Sequence, residues 1–152
     1  MKTILIIYHS QSGNVAEMAY GIKKGIEKSK NFLIEIKKAQ DATWEDLKKA
    51  SGLAIGTPNY FDYMAGSVKD FFDRTFYPSQ SKVSGSLTAH LPCVFFVSGG
   101  ASGEPVIESL MKIGIAFKFN VIGYITGGTK ITPELLSKCE DLGEKLSTNI
   151  LS

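Results

Sequence analysis

The stretch ILIIYHSQSGNV, residues 4–15, decides the fold of this chain. It opens on apolar, mostly β-branched residues, which predict a short strand that is buried on both faces. Small and polar residues follow at once, and from Val15 onward apolar residues such as Met18 and Ile22 recur at helical spacing. The sequence therefore predicts a buried strand, a hydroxyl-rich turn and the first turns of a helix.

This turn is suited to a phosphate group. The N–H groups at the start of a helix have no partner within the helix, and the helix dipole adds partial positive charge there. Gly13 lets the backbone approach a ligand closely, and Ser10 and Ser12 can donate hydroxyl hydrogen bonds. Helix N-termini use the same residue types for capping, so a plain helix cap by Ser12 or Asn14 is the alternative.

Other phosphate-binding and phosphate-transferring loops do not match this turn. A dinucleotide fingerprint needs several closely spaced glycines and a P-loop ends in Gly-Lys-Ser/Thr, whereas residues 8–14 contain one glycine and no lysine. Cys93 and Cys139 are far away in sequence, which excludes a phosphatase with a cysteine in this loop. No carboxylate follows the strand, as a phospho-acceptor domain would require. The turn is therefore expected to hold a phosphate without performing chemistry on it.

Length and charge exclude several classes of function. A chain of 152 residues is expected to form one domain, and its net charge of +2 gives no strong field to attract nucleic acid or an anionic membrane. No apolar run approaches the roughly 20 residues that cross a bilayer, and the N-terminus has no signal-peptide layout. We expect a cytoplasmic protein without a metal site, in which Cys93 and Cys139 are reduced and buried.

Strands and helices alternate along the rest of the chain. Apolar runs predict four further strands, near residues 32–36, 52–56, 91–97 and 121–125. Helices are predicted to begin near Thr43, Ser67, Pro105 and Thr132. Pro78 ends the helix after Ser67, and residues 78–90 are predicted to be an irregular connection.

Five strands with helices between them predict an α/β fold of three layers, a parallel sheet with helices on both faces. The single phosphate turn after the first strand favours the strand order 2-1-3-4-5. In that order ligands bind beyond the carboxyl ends of the strands, at the switch point between the first and third strands. The loops that leave the first, third and fourth strands should therefore be neighbours.

The two other loops at this edge have compositions that complement the phosphate turn. Residues 57–66, TPNYFDYMAG, place three aromatic side chains in four positions, and residues 98–104, SGGASGE, offer backbone polar groups. A planar heterocycle with a phosphate tail fits this set. Its ring could stack on Tyr60 or Phe61, and its edge could form hydrogen bonds with the backbone of both loops.

The same stretches resemble a known superfamily. YHSQSGNV, residues 8–15, is similar to the phosphate loop of the flavodoxin-like flavoproteins. GTPNYFDYMAGSVKDFFDR, residues 56–74, is similar to the second flavin loop in the NAD(P)H:quinone oxidoreductases of the Trp-repressor-binding-protein type. The resemblance implies a flavodoxin-like fold and one non-covalently bound FMN. By position, it implies that the phosphate contacts are Ser10, Gln11, Ser12, Gly13, Asn14 and Val15, and that the ring contacts are Thr57, Pro58, Asn59, Tyr60, Phe61, Asp62, Ser98, Gly99, Gly100 and Gly103.

The chain also departs from these quinone reductases. They usually have a glycine at the position of Asp62, and they are longer, with segments that help to form a tetramer. The missing segments put the tetramer and the quinone activity in doubt, and a homodimer is the assembly left open. Asp62 and Glu104 either lie near the N1 side of the ring, where their charge would disfavour the reduced anion, or are solvated surface residues. His9 either assists in binding the anion or packs at the end of its strand.

Two functions stay open. The first is an enzyme that takes two electrons from NAD(P)H and passes them to a quinone, a free flavin or a similar acceptor, with the flavin carrying the hydride. The second is a one-electron carrier, a flavodoxin, that docks on redox proteins. Carriers of this kind are typically very acidic and place a flexible glycine beside the flavin N5. This chain has a charge of +2 and no glycine in residues 59–62, where φ > 0 is costly for the aromatic residues. These points favour the enzyme, while the short length favours the carrier.

Overall fold

The computed structural model describes residues 1–151 and has the predicted alternation of strands and helices. The strands of the main sheet are β1 Lys2–Tyr8, β2 Phe32–Lys38, β3 Ala50–Pro58, β4 Pro92–Ser98 and β5 Asn120–Thr126. The α-helices are α1 Asn14–Glu27, α2 Trp44–Lys48, α3 Gly66–Phe76, α4 Glu104–Phe117 and α5 Pro133–Leu151. Short 3₁₀ turns at Ala39–Asp41 and Tyr77–Ser79 follow β2 and α3.

The sheet confirms the predicted topology. Its strands pair in parallel in the order β2-β1-β3-β4-β5. Since every strand runs the same way, the loops after β1, β3, β4 and β5 all lie at one edge of the sheet. This shared edge is what brings the loops singled out in the sequence together.

Alternation along β1 divides the core into two layers. Leu5 and Ile7 point to the side of α3 and α4, while Ile4 and Ile6 point to the side of α1 and α5. All of these side chains are at most 1% exposed. Burial of each such side chain contributes about 1.5–3 kcal/mol relative to an exposed position, so β1 adds substantially to both layers of the core.

Helices α1 and α5 meet backbone to backbone. A Cβ added at Gly25 would overlap the main-chain carbonyl of Glu140, and one added at Gly143 would overlap that of Ile22. No larger residue fits at either position unless the helices separate. This close crossing holds α1, and with it the phosphate turn at its start, against the sheet.

Several local predictions are confirmed and one is corrected. Thr43 caps α2 in a reciprocal capping box with Asp46, and Trp44 packs against the α3 side of the core. Residues 78–90, expected to be irregular, contain a short antiparallel hairpin in which Gln80 pairs with Ser86. A series of serines gave no apolar alternation that would have revealed this strand pair. No helix among residues 1–151 is long and apolar enough to span a bilayer.

Candidate functional site

The phosphate turn leaves the start of α1 free of a side-chain cap. Gly13 occupies the N-cap position with φ of 96°, and no side chain hydrogen-bonds to the first turn. The plain cap by Ser12 or Asn14 is therefore not what the structure contains. The Ser10 hydroxyl instead accepts a hydrogen bond from the Gly13 N–H at 3.1 Å. A Cβ placed on Gly13 would meet nothing within 4 Å, so open space faces the helix N-terminus.

The aromatic loop contains a tight turn in an unexpected backbone conformation. Tyr60 and Tyr63 exchange backbone hydrogen bonds of 3.0 and 3.1 Å, and the residues between them, Phe61 and Asp62, both have φ of 59°. Such a turn ordinarily uses Asn-Gly. The sequence contains no glycine here and indicated that φ > 0 would be costly for the aromatic residues, yet Phe61 adopts it. Each of these residues stores about 1–2 kcal/mol of strain, which the paired turn and the rest of the fold must overcome.

The side chain of Phe61 gains nothing from this arrangement within the chain. It is 102% exposed, so its ring projects fully into solvent at the edge of the site. Tyr63 is 41% exposed beside it. The loop therefore presents aromatic surface at the carboxyl ends of the strands, as the composition predicted.

The aromatic loop and the glycine-rich loop after β4 are in direct contact. The Asn59 N–H donates to the Ser98 carbonyl at 2.8 Å, and the Asn59 side-chain amide donates to the Ser102 carbonyl at 3.1 Å. Gly99 has φ of 152°, and a Cβ there would lie 2.7 Å from the Asn59 Cβ. Glycine is required at this position because the two loops approach so closely. Their predicted proximity is confirmed.

Four of the predicted site residues are buried in the scaffold, and one of them is Ser98 at the end of β4, which is 3% exposed. Val15 is 1% exposed, which leaves its backbone N–H as the group that an anion could reach. Thr57 is fully buried, and its hydroxyl accepts from the Ala65 N–H at 2.9 Å, which joins the two ends of the aromatic loop. Gly103 is buried at the start of α4, where a Cβ would lie 2.7 Å from the Thr126 Cγ2. Their contacts with FMN stay predictions.

A fourth loop, residues 127–131 after β5, joins the site and was missed in the sequence. The Gly99 N–H donates to the Gly128 carbonyl at 3.3 Å, and the Asn14 side-chain amide donates to the Thr129 carbonyl at 2.9 Å. This loop thus connects the glycine-rich loop with the first residue of α1. The rule that places the other loops at this edge applies equally to the end of β5, and the Gly-Gly-Thr sequence there was the available signal.

His9 links the phosphate turn to the aromatic loop. Its Nδ1 lies 2.7 Å from the hydroxyl of Ser67, in the first turn of α3. Its ring packs edge-on against Tyr60, with the ring centroids 5.7 Å apart. Its Nε2 is buried and has no hydrogen-bond partner within residues 1–151. Ser67 was not singled out in the sequence, because a serine at the start of a helix has no distinguishing pattern.

Two carboxylates lie near this edge of the sheet, whereas both cysteines lie in the hydrophobic core away from it. Asp62 and Glu104 are exposed, and the Tyr124 hydroxyl donates to Glu104 at 3.4 Å. Both cysteines are free and buried, as predicted. Burial raises the pKa of Cys93 well above its usual value and, together with the nearby Glu140, raises the pKa of Cys139 to about 12. Both thiols are therefore protonated and unreactive at neutral pH. No cluster of at least three metal-ligating residues exists in the described part of the chain.

The arrangement suits a phosphorylated flavin. An uncapped helix N-terminus faces open space at Gly13, aromatic rings lie exposed on the next loop, and glycines permit close backbone contact on the third. The ring of His9 packs against Tyr60 of the second loop, and its buried Nε2 has no hydrogen-bond partner among residues 1–151. A phosphate, a flat ring and a polar connecting arm each find a complementary feature here.

Comparisons with known proteins agree with this ligand class. The model of a family described as NADPH-dependent FMN reductase matches residues 23–129. A flavodoxin of Aquifex aeolicus (strain VF5) is 26% identical over an alignment of 163 positions, which covers 97% of this chain and 86% of that protein. A solved flavodoxin from the domain Archaea is 25% identical, with a TM-score of 0.83 and 99% of both chains covered. A flavodoxin, WrbA-like protein from Agrobacterium tumefaciens has the same fold, with a TM-score of 0.81, 14% identity, and 99% of this chain and 98% of that chain covered.

Proposed function

The chain belongs to the NADPH-dependent FMN reductase family, and from this premise we propose that it is an oxidoreductase that transfers two electrons from NAD(P)H to a quinone, a free flavin or a similar acceptor. FMN is the cofactor of this flavodoxin-like protein. The bound flavin supplies the hydride chemistry, and the chain's own residues bind it, orient it and control access to it.

In this proposal the first loop binds the phosphate. The backbone N–H groups at the start of α1, which no side chain caps, donate to the phosphate oxygens together with the hydroxyls of Ser10 and Ser12. No lysine or arginine lies in residues 4–15, so the binding relies on hydrogen bonds and the helix dipole rather than on a salt bridge. Residues 57–62 line the ring, and residues 98–100, together with Gly103 at the start of α4, close its other side.

One observation carries the choice of two-electron chemistry. The peptide between Phe61 and Asp62 is held in place, because the Asp62 N–H donates to the Asn59 side-chain oxygen at 2.8 Å. The backbone bonds between Tyr60 and Tyr63 hold both ends of the same turn. Reorientation of this peptide would break the bond to Asn59 and force Phe61 through unfavourable backbone angles. The glycine-containing turns of carriers adapt to a singly reduced flavin by reorienting a peptide. A turn that keeps one arrangement of donors and acceptors does not.

Charge supports the same choice. Carrier flavodoxins are typically very acidic, which attracts them to basic partner proteins, whereas this chain has a net charge of +2. The fully exposed ring of Phe61 offers instead a flat apolar surface to a small planar reactant. The quinone-reductase branch is accordingly the finer assignment that we propose within the superfamily.

A one-electron carrier is the second candidate, and a specific observation favours it. The archaeal flavodoxin and this chain cover 99% of each other, with a TM-score of 0.83. In the carrier the same loops would hold FMN, and the exposed aromatic turn would contact a partner protein.

Rapid-mixing reduction of the FMN-loaded protein separates the two functions. We expect direct anaerobic reduction by NADPH or NADH, followed by fast reoxidation with a quinone or free flavin. A reductive titration should pass from oxidised to fully reduced flavin with little radical. A carrier would react with neither nicotinamide and would accumulate a stable one-electron-reduced flavin, and that pair of results would overturn the enzyme. Free FMN at the same concentration is the control for uncatalysed reduction.

A further inference from the structure

The His9 side chain contacts both the aromatic loop and the first turn of α3. His9 directly precedes Ser10 of the phosphate turn, and the backbone N–H of His9 donates to the Gly56 carbonyl of β3 at 3.1 Å. Its ring packs edge-on against Tyr60 at the start of the aromatic turn, and its Nδ1 contacts Ser67 of α3. The imidazole is therefore held by Tyr60 and Ser67, and these two contacts fix its orientation.

The remaining ring nitrogen is unsatisfied. Nε2 is shielded from solvent, and no group among residues 1–151 hydrogen-bonds to it. A buried polar atom without a partner destabilises the fold, whereas an apolar ring of the same shape would avoid that cost. If the Ser67 hydroxyl donates to Nδ1, as the 2.7 Å separation allows, the ring proton is on Nε2 and the orphan atom is a donor.

We propose that His9 is a cofactor-binding residue whose Nε2–H donates to an oxygen of the ribityl-phosphate arm of FMN. This inference rests on the proposed placement of FMN. With the phosphate at the start of α1 and the ring at residues 57–62, the arm must cross from one loop to the other. His9 lies at that crossing, since it adjoins the phosphate turn and contacts Tyr60. The acceptor is either a ribityl hydroxyl or the phosphate, both of which offer oxygen acceptors.

Ligands that differ only in the arm test the proposal. Dissociation constants for FMN, riboflavin and lumiflavin are measured by flavin fluorescence for the full-length protein and for His9→Phe, which keeps an aromatic ring against Tyr60 but removes both nitrogens. We expect His9→Phe to raise the dissociation constant of FMN about 10- to 100-fold. The dissociation constant of lumiflavin, which has no arm, should not change. If riboflavin binding is weakened as strongly as FMN binding, the acceptor is a ribityl hydroxyl. If riboflavin binding is unchanged, the acceptor is the phosphate.

Two control variants make the result specific. His90→Asn removes the other imidazole, which is exposed and lies beyond the opposite edge of the sheet, and should alter no dissociation constant. Ser67→Ala removes the hydroxyl that orients His9 while leaving Nε2 in place, and should weaken FMN by a smaller factor than His9→Phe. An equal loss for all three flavins would mean that His9 acts only through Tyr60, and no loss for any would mean that it makes no contact. Either result overturns the proposal while FMN binding itself stands.

A spectroscopic readout on the unmodified protein covers the case in which His9→Phe does not fold. Ring ¹⁵N NMR should show Nε2 of His9 protonated and its resonance shifted by oxidised FMN but not by lumiflavin. A proton on Nδ1 instead, or identical shifts with both flavins, would overturn the assignment. Wild-type protein that binds no flavin at all would overturn the proposed function together with this inference.

Discussion

The loops after β1 and β3 solve the same problem in opposite ways. Both must bend the backbone sharply at the end of a buried strand to meet a ligand. The first places its left-handed residue at Gly13, with φ of 96°, where glycine pays no steric penalty. The second places Phe61 and Asp62, each with φ of 59°, in a turn that contains no glycine. Local rules explain the first loop and fail for the second.

The second loop stores backbone strain that the first loop does not. Residues in unfavourable backbone regions persist only where the surrounding structure forces them, and they cluster at functional sites. Asn59 supplies part of that force, because its side chain accepts from the Asp62 N–H and donates to the Ser102 carbonyl. The left-handed turn of the second loop therefore depends on its neighbours, whereas that of the first requires only that residue 13 be glycine.

The largest effect expected from this comparison is at Gly13. Gly13→Ala adds a side chain where φ is left-handed and where the phosphate must approach the helix N-terminus. Because hydrogen bonds to a charged group are lost, the affinity for FMN should fall about 100-fold. The affinity for riboflavin, which lacks the phosphate, should fall far less. Fluorescence titration with both ligands measures the two losses.

Gly85 provides the matched control. It also has a left-handed φ, of 72°, and open space around its Cβ position, but it lies in the hairpin away from the site. Gly85→Ala should lower the free energy of unfolding by about 1 kcal/mol, like Gly13→Ala, without changing FMN affinity. Equal FMN affinity in the two variants would contradict the phosphate assignment for the first loop.

The capping box at the start of α2 is a third turn, and its residues are those that local sequence rules predict. In the capping box of α2 the Asp46 carboxylate accepts from the Thr43 N–H at 2.9 Å and from Lys37 at 2.8 Å. Asp46→Ala should cost about 1–2 kcal/mol at neutral pH, as the loss of a cap and of a charge-assisted bond does. Chemical denaturation measures this loss of unfolding free energy. Glu45 is an exposed acidic residue in the same turn, and the control variant Glu45→Ala should change the unfolding free energy by about 0.5 kcal/mol at most.

The pH dependence of this cap has a defined sign. Burial alone would raise the pKa of Asp46, but the hydrogen bonds from Lys37 and Thr43 outweigh it and hold the pKa below its usual value. The contribution is therefore present above the unfolded pKa of about 4 and is lost as the pH falls through the lower folded value. The stability difference between wild type and Asp46→Ala should shrink toward zero in strong acid. A difference that does not change with pH would show that packing, not charge, stabilises this turn.

Relief of strain in the second loop should give a smaller effect of opposite sign. Phe61→Gly removes the left-handed penalty, and the side chain is fully exposed, so no packing is lost. After the greater freedom that glycine gives the unfolded chain is subtracted, the flavin-free protein should gain about 1 kcal/mol. Thermal and denaturant unfolding measure the gain, and a loss of stability would show that the Phe61 ring makes contacts that outweigh the strain.

These contrasts show what the sequence could predict and what it could not. The strand order, the two-layer core and the contact between the loops after β3 and β4 follow from periodicity and from the parallel sheet. The Phe61-Asp62 turn does not, because φ > 0 is unfavourable for Phe61 and hydrogen bonds with other parts of the loops hold the turn in place. The pairing of His9 with Ser67 joins residues 58 positions apart, and only the folded structure places them together. The hairpin at residues 80–86 carried no apolar alternation to reveal it.

Asp62 gives the smallest expected effects and separates strain from charge. Aspartate tolerates the left-handed region better than phenylalanine, so Asp62→Gly should stabilise the flavin-free protein by only about 0.5 kcal/mol. Asp62→Asn keeps that tolerance and the backbone N–H that donates to Asn59, and it removes only the charge. Because Asp62 is exposed, its carboxylate is screened by water and salt, and the flavin reduction potential of Asp62→Asn should stay near that of wild type. A clear rise in potential would place this carboxylate beside the ring, since a negative charge there opposes formation of the reduced anion. In that case the second loop would tune the flavin by charge as well as hold it by strain, and the first loop would remain a simple anchor.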